Sequence, residues 1–365
     1  MKAPDPSVLH LIHRPKVGGV EAAAAHLREL CTDLPYELAA LSPAVGDGSE
    51  HGPGATLLDF RGRGLDDPRS AVAFLRHARS RRPRVLVTSL WRSVLVGLLC
   101  RPLLPGTRWV VYLHNSRWTN PVDRLVHTLA LRRADAVFCD SRAAQEALVP
   151  ERLARRIPVH VVRPTARPAG QATAADPEPA PTPVAEDRSI RLLFWGRIAR
   201  QKRLDRAIGL LAALEAQHPG SSRLEVIGPD EGPQAELEQL ASALGVSHLI
   251  TWHGPLEWEQ IREHAARATC FVQLSDYEGL AMAVSEAMQL GLVPVVTPVG
   301  EIPHRTRDGV DAVHARPPLT ELARRLHEMT EDPQRWPSMS RAAARVEVPD
   351  FVEEFTRACR EVAAT

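Results

Sequence analysis

Lysine is almost missing from this chain: of 45 basic residues only Lys2, Lys16 and Lys202 are lysine, and the rest are arginine. Excess charge of either sign is missing too. The formal net charge is +1, so there is no global positive field to recruit a phosphate backbone, and nucleic acid is not an expected partner. Paired cysteines are absent. Cys31, Cys100, Cys139, Cys270 and Cys359 stand apart with no C-x-x-C pair, and no Cys/His cluster has zinc-ligand spacing. Reduced core thiols are expected, and no metal ligand set. Long apolar runs are lacking as well. The longest, Ser93 to Cys100, lies between Arg92 and Arg101, far short of the ~20 residues a transmembrane helix needs, and reads as a buried helix. Met1 to Ser7 is polar and Val8 to Ile12 is too short for a signal peptide's apolar region. A cytoplasmic location is the expectation.

What is present suits a folded two-domain protein. The 365 residues are 44% hydrophobic and 24% charged, near the averages for soluble globular chains. Short β-branched or leucine-rich runs alternate with helical periods, the pattern of parallel sheets covered by helices on both faces. In the first half strands are predicted at Ser7 to His13, Tyr36 to Leu41, Val85 to Thr88, Trp109 to Leu113, Ala136 to Cys139 and Pro158 to Val162. In the second they fall at Ile190 to Trp195, Arg223 to Ile227, Leu249 to Trp252, Cys270 to Leu274 and Val293 to Thr297. The first helix puts Val20, Ala23, Leu27, Leu30 and Cys31 on one face. From Pro164 the pattern dissolves into Ala, Thr and Pro. The division is therefore 1–165, a linker at 166–188, and 189–347, two doubly wound Rossmann-like α/β domains. In such sheets ligands bind outside the strand carboxyl ends, and two edges facing each other would make a cleft.

The densest constellation is SDYEGLAMAVSEAMQLG, Ser275 to Gly291, a strand end followed by a helix expected to open near Gly279. Free amides around Gly279, Leu280 and Ala281 would favour an anion such as a diphosphate. Glu278 and Glu286, eight residues apart, would span ~12 Å of helix, about the reach from a donor sugar to the ribose. Glu286 lies among Ala283, Val284, Ala287, Met288 and Leu290, where a carboxylate needs a partner. A dipole partner and a solvated helix residue are the plainer alternatives. GRIARQK, Gly196 to Lys202, places Arg197 and Lys202 on a glycine-opened loop, where cations can meet a pyrophosphate leaving group whose charge grows in the transition state. In a chain that uses arginine elsewhere, Lys202 points to a compact ammonium; a solvated basic turn is the alternative. Gly18-Gly19 can let backbone approach a ligand or simply turn the chain, and Lys16 and Glu21 are weaker candidates beside it. WVVYLHNS ends in His114, Asn115 and Ser116, a polar cluster at a strand end. The arginines from Arg76 to Arg84 form a solvated helix end that can also touch anionic lipid at a membrane surface. Asp276-Tyr277-Glu278 has no third ligand nearby, so neither Mg²⁺ nor Mn²⁺ is expected there.

Taken together these segments resemble family-4 retaining glycosyltransferases of GT-B fold. GGVEAAAAHLREL is similar to the family's opening loop and helix, and RRADAVFCDS to its late first-domain strand. LLFWGRIARQKRLDRAI, VIGPDEGPQAELEQLASALGV and YEGLAMAVSEAMQLGLVPVVTPVGEIP are similar to its second-domain core, the last with an unbroken E-x7-E register. The resemblance implies a nucleotide diphosphate-sugar co-substrate, UDP- or GDP-linked, with no cofactor and no metal. It makes Arg197 and Lys202 pyrophosphate ligands, Glu286 the ribose ligand and Glu278 a partner of the donor sugar hydroxyls. Gly279, Leu280 and Ala281 would bind the distal phosphate through their backbone. Gly18, Gly19 and Gly196 would approach the donor closely, Gly228, Gly254 and Leu256 would lie around the base, and His114 would act near the reacting sugar. Retention of configuration is implied, and Val348 to Thr365 would return to the first domain. The expected activity is sugar transfer to the hydroxyl of a glycan, a lipid-linked sugar or a natural product. Another GT-B enzyme, an epimerase or sugar phosphorylase, or a non-catalytic partner subunit are the alternatives. Ser42 to Gly54 and Arg61 to Asp67, where acceptor choice would lie, carry no legible code.

Overall fold

The computed structural model describes residues 7–13, 19–32, 34–41, 58–59, 67–165 and 189–365. The expected linker 166–188, Lys16, Gly18 and nearly all of the two acceptor-side loops lie outside the described residues. The chain forms two compact units, Met1–Gln171 with Pro349–Thr365, and Ala172–Val348.

Unit 1 is built on a seven-stranded sheet: β1 (Val8–Ile12), β2 (Tyr36–Ala40), β3 (Leu58–Asp59), β4 (Val85–Ser89), β5 (Arg108–Leu113), β6 (Ala136–Cys139) and β7 (Val159–Val161), in the order β3-β2-β1-β4-β5-β6-β7. Every pair is parallel. The helices are α1 (Gly19–Leu30), α2 (Pro68–Arg81), α3 (Trp91–Cys100), α4 (Pro121–Leu131), α5 (Arg142–Leu148) and α6 (Glu151–Ala154). β1, β4 and β6 are buried along their whole length, which is why they read as near-continuous apolar runs. The chain's last helix, Phe351–Ala364, packs Phe351, Phe355, Ala358, Cys359 and Val362 into this unit's core beside Val85, Val87, Tyr112 and Phe138. The run read as a buried helix is α3, but it has a wet face: Val94 and Val96 are buried while Leu99 is 62% exposed. All five cysteines are buried and none is in a disulfide.

Unit 2 repeats the plan with β8 (Ile190–Trp195), β9 (Ser222–Ile227), β10 (Ile250–Gly254), β11 (Cys270–Gln273), β12 (Val293–Val296) and β13 (Val313–His314), all parallel, in the order β10-β9-β8-β11-β12-β13. Its helices are α7 (Leu204–Gln217), α8 (Gln234–Ala243), α9 (Trp258–Ala265), α10 (Met282–Gln289), α11 (Ile302–Arg305), α12 (Leu319–Glu331) and α13 (Arg335–Ala344). One apolar cluster joins Ile208, Leu211, Leu322, Leu326 and Trp336 to Phe194 and Val272, and another joins Ala265, Val284 and Met288 to Leu193 and Phe271. The doubly wound, two-sheet expectation is what the molecule has.

The strand order reverses between β1 and β4 in one sheet and between β8 and β11 in the other. These are the switch points at which loops leave in opposite directions and open a crevice. Three of the four described non-glycine residues with positive φ follow switch-point strands: Leu90 (φ 70) after β4, Arg203 (φ 47) after β8 and Ala281 (φ 56) after β11. Backbone held in such wells needs over-determined surroundings, and it clusters where function is built.

Candidate functional site

In unit 2 the loops after β8 and β11 are fastened to each other. The amide of Asp276 donates to the Gln201 carbonyl (3.0 Å), and Gln201 Nε2 donates to the Tyr277 carbonyl (2.8 Å). Arg203 and Arg206 both bond the Asp276 carboxylate, and Arg206 also donates to the Leu274 carbonyl. Asp276 is thus a structural anchor paired with arginines. The stitching presents Lys202 to Glu278: Nζ donates to Oε1 at 2.8 Å, with the side chains only 14% and 5% exposed. Gln273 Nε2 donates to the same oxygen at 3.0 Å from the end of β11. A carboxylate this dry is tolerable only when a cation and hydrogen bonds meet it, and the site supplies both. Lys202 has three N–H groups and gives one to Glu278.

The structure corrects the sequence reading at the next step. The helix opens at Met282, not at Gly279, because Ala281 adopts a left-handed conformation and stops the helical path there. Glu278 is therefore on the loop, so the helical rise between Glu278 and Glu286 is not the measure of their separation. The side chains of Leu280 and Ala281 are buried, leaving backbone as the part of that turn that can meet a ligand. Among the described residues the amides of Gly279, Leu280 and Ala281 donate to no backbone carbonyl.

Glu286, in the middle of α10, finds a partner that its apolar neighbours demanded: the indole of Trp195, whose Nε1 donates to Oε2 at 3.0 Å. Arg197 differs from its expected role in this arrangement. Its Nη1 is paired with Glu231 at 2.6 Å, and 43% of the side chain is exposed. Gly228 has a packing reason to be glycine, since a Cβ there would lie 1.9 Å from the Gly196 carbonyl oxygen. Its amide donates to the Gly254 carbonyl, so Gly196, Gly228 and Gly254 are close-packed backbone at adjacent strand ends. Leu256 packs against the α9 and α10 side of the core.

Gly300, not singled out by the sequence, lies against the same turn. Its φ is +59, a Cβ would sit 2.2 Å from the Glu278 carbonyl oxygen, and Glu301 N donates to the Gly279 carbonyl. The added methyl of Gly300→Ala has backbone in its way and a left-handed φ to hold, which costs ~1–2 kcal/mol by itself. The expected result is a loss of about 3 kcal/mol in urea unfolding once the displaced turn is included; an unchanged midpoint would show that the turn yields without cost.

In unit 1 the described polar cluster is a buried chain crossing its switch point. Tyr36 Oη lies 2.7 Å from His10 Nδ1, His10 Nε2 lies 2.8 Å from Ser89 Oγ, and Ser89 Oγ lies 2.9 Å from His114 Nε2. Ser89 has one proton to share between two imidazoles, so one ring donates to it and the other accepts. The Tyr36 hydroxyl also donates to the Ala24 carbonyl at 3.4 Å. The remaining ring nitrogen of the chain is His114 Nδ1. That nitrogen is buried with no partner among the described residues. Burial holds His114 well below the ordinary histidine range, with His10 and His127 adding to the effect. Burial likewise lowers His10 to about 3. Both rings are neutral at physiological pH.

The structure places the other first-unit candidates less informatively. Gly19 begins α1 and Glu21 lies in its first turn. The basic stretch is partly tied down, Arg81 to Glu37 and Arg84 to the Ala363 carbonyl. Among the described residues no helix is long and apolar enough to cross a membrane.

Comparison with known proteins agrees with this architecture. Residues 179–346 match the group 1 glycosyl transferases and residues 18–165 match the glycosyl transferase 4-like domain. A D-inositol 3-phosphate glycosyltransferase of Geodermatophilus obscurus is 35% identical over 137 residues, 36% of this chain and 30% of that protein. An alpha-D-kanosaminyltransferase of Streptomyces kanamyceticus is 27% identical over 258 residues, 66% of this chain and 65% of that one. The chain thus spans between about a third and two thirds of these relatives' length. Among solved structures, Anabaena Alr3699/HepE in complex with UDP and glucose superposes with a TM-score of 0.76 at 17% identity, covering 99% of this chain and 100% of that one. With two parallel sheets, two matched domains and this fold likeness, the chain belongs to the glycosyltransferases of GT-B fold.

Proposed function

We propose that the protein is a cytoplasmic, metal-independent retaining enzyme. It would transfer a sugar from a nucleotide diphosphate-sugar to the hydroxyl of a glycan, a lipid-linked sugar or a small natural product. The observation that carries this reading is the dry Lys202–Glu278 pair at the β8/β11 switch point. Lys202, with two further N–H groups to give, and Arg197, once it leaves Glu231, bind the pyrophosphate. Charge builds on that group as the glycosidic bond breaks, so fixed cations there favour the transition state over the bound donor. The backbone of Gly279, Leu280 and Ala281 holds the distal phosphate. Glu278 accepts from sugar hydroxyls and Glu286 from the ribose, while Gly196, Gly228, Gly254 and Leu256 surround the base. Gly18, Gly19 and His114 are the candidates of unit 1, the glycines for backbone contact with a ligand and His114 as a neutral hydrogen-bonding group for a sugar hydroxyl. The leaving phosphate takes the acceptor's proton.

UDP is the first base to test, because a fold neighbour is described in complex with UDP and glucose, and GDP is the second. The test is thermal unfolding of the protein with UDP, GDP, ADP, TDP and their sugar conjugates, with and without added Mg²⁺. A ligand at about 100 times its Kd stabilises the native state by about 2.7 kcal/mol. One nucleotide family should raise the melting temperature without metal, and Glu286→Ala should remove most of that shift. No shift with any of them, or a shift only with metal, would sink the reading.

A further inference from the structure

The donor-site reading leaves one cluster of ligating side chains unused. Glu225 on β9, His253 on β10 and His264 on α9 converge on a point at the edge of the second sheet. His253 Nε2 lies 2.9 Å and His264 Nδ1 2.6 Å from the same carboxylate oxygen, Glu225 Oε2. The three ligand atoms lie within 4.8 Å of one another, and the two imidazoles are 4.4 Å apart at the centroids with a 56° tilt.

We infer that this trio is a zinc site. A hydrogen-bonding role would be served equally well by spreading the two rings over both carboxylate oxygens; here both aim at one oxygen from different elements, the convergence that three ligands of one ion require. Two imidazole nitrogens and a carboxylate oxygen form a donor set suited to zinc, with a fourth position for water. Zinc bonds of about 2.0–2.1 Å at tetrahedral angles put ligand atoms about 3.3 Å apart. The two histidine–carboxylate spacings, 2.9 and 2.6 Å, lie within about 0.7 Å of that value, and the third is within 4.8 Å. The side chains are 21%, 22% and 33% exposed for His253, His264 and Glu225, so one side is open to solvent for ion entry and for the water.

The local fold explains how the trio forms. The β9–β10 register is regular at Thr251 opposite Glu225 and shifts between Trp252 and Gly254. His253 is the extra residue of that bulge, a device that re-aims a side chain at a strand end. α9 then returns His264 four residues from its capping box partner Gln260. Sequence spacing could not announce this site, because its ligands come from two strands and a helix. The bound ion would staple the edge strand β10 to β9 and to α9. The trio shares no residue with the Lys202–Glu278 pair, so the inference stands whether or not the donor reading does.

The test is isothermal titration of the full chain with zinc chloride, with cobalt(II) as a spectroscopic substitute. One zinc per chain should bind, and cobalt should give the visible d–d bands of a four-coordinate ion. His253→Ala, His264→Ala and Glu225→Gln should each weaken zinc at least about 100-fold and abolish those bands. His218→Ala, which removes a ring tilted against His327 with centroids 4.0 Å apart, should leave both unchanged. Should an alanine variant fail to fold, Glu225→Gln carries the decision, since it preserves size and neutral hydrogen bonding. Absence of a saturable site in the wild type, or wild-type affinity in Glu225→Gln and the histidine variants, would overturn the assignment.

Discussion

Lys202→Ala should lower the transfer rate at saturating donor by about two to three orders of magnitude, the usual cost of removing one fixed charge from a developing anion. It should also destabilise unit 2. The Glu278 carboxylate is almost wholly buried, and removing the cation that meets it costs about 3 kcal/mol for a charge in such a place. The two losses have different origins, and a double variant separates them. In Lys202→Met/Glu278→Gln neither charge remains to be stranded, so stability should largely return. The rate should stay low, because nothing meets the leaving phosphate. Steady-state kinetics and urea unfolding on the single and double variants decide it. Recovery of turnover with stability in the double variant would make the pair a structural bond and remove Lys202 from the transfer step.

Much of this site was legible in the sequence because the chemistry is local. Lys202 stands out as a rare lysine on a loop after an apolar strand, and Glu278 as a carboxylate beside a glycine at another strand end. Their meeting follows from a doubly wound order that places β8 next to β11. What could not be read is what depends on contacts distant in sequence. Gln273 is one polar residue in a strand until Glu278 folds back over it. Gly300 is one glycine among 22 until its Cα is seen against the Glu278 carbonyl. Trp195 and Glu231 gain meaning only as partners of Glu286 and Arg197. The start of α10 was misplaced by three residues because a left-handed alanine is invisible to propensity, which would continue the helix through it. Strands β3 and β13 have two residues each, too short for any alternation to register. The unit 1 relay was half seen: His114 showed as a polar residue ending a strand, whereas His10 lies inside an apolar strand and reads there as an interruption.

That relay carries the second large effect. Unit 1 should lose stability steeply as pH falls from about 6.5 towards 3. His10 is neutral in the folded state, with its protonation lowered from 6.5 to about 3 by burial among Tyr36, Tyr112 and Phe355. The unfolded chain takes up a proton throughout that interval and the folded chain does not. Stability is therefore complete above 6.5 and is lost as pH falls, by up to about 1.4 kcal/mol per pH unit for one such histidine. Protonation of His114 is lowered in the same direction by the same cause, and the two share Ser89, so charging either ring also breaks the chain of donors that fixes the other's tautomer. By pH 5 His10 alone should cost roughly 2 kcal/mol. Urea unfolding at pH 7.5 and at pH 5.0 measures the total, to which the buried His26 and the half-buried His160 of the same unit also contribute in this direction. His10→Gln isolates the relay: an amide can still bond Tyr36 and Ser89 but takes up no proton. The variant should be less stable at pH 7.5 yet lose about 2 kcal/mol less than the wild type between the two pH values. An identical pH dependence in the two proteins would mean that His10 is not held neutral by the fold.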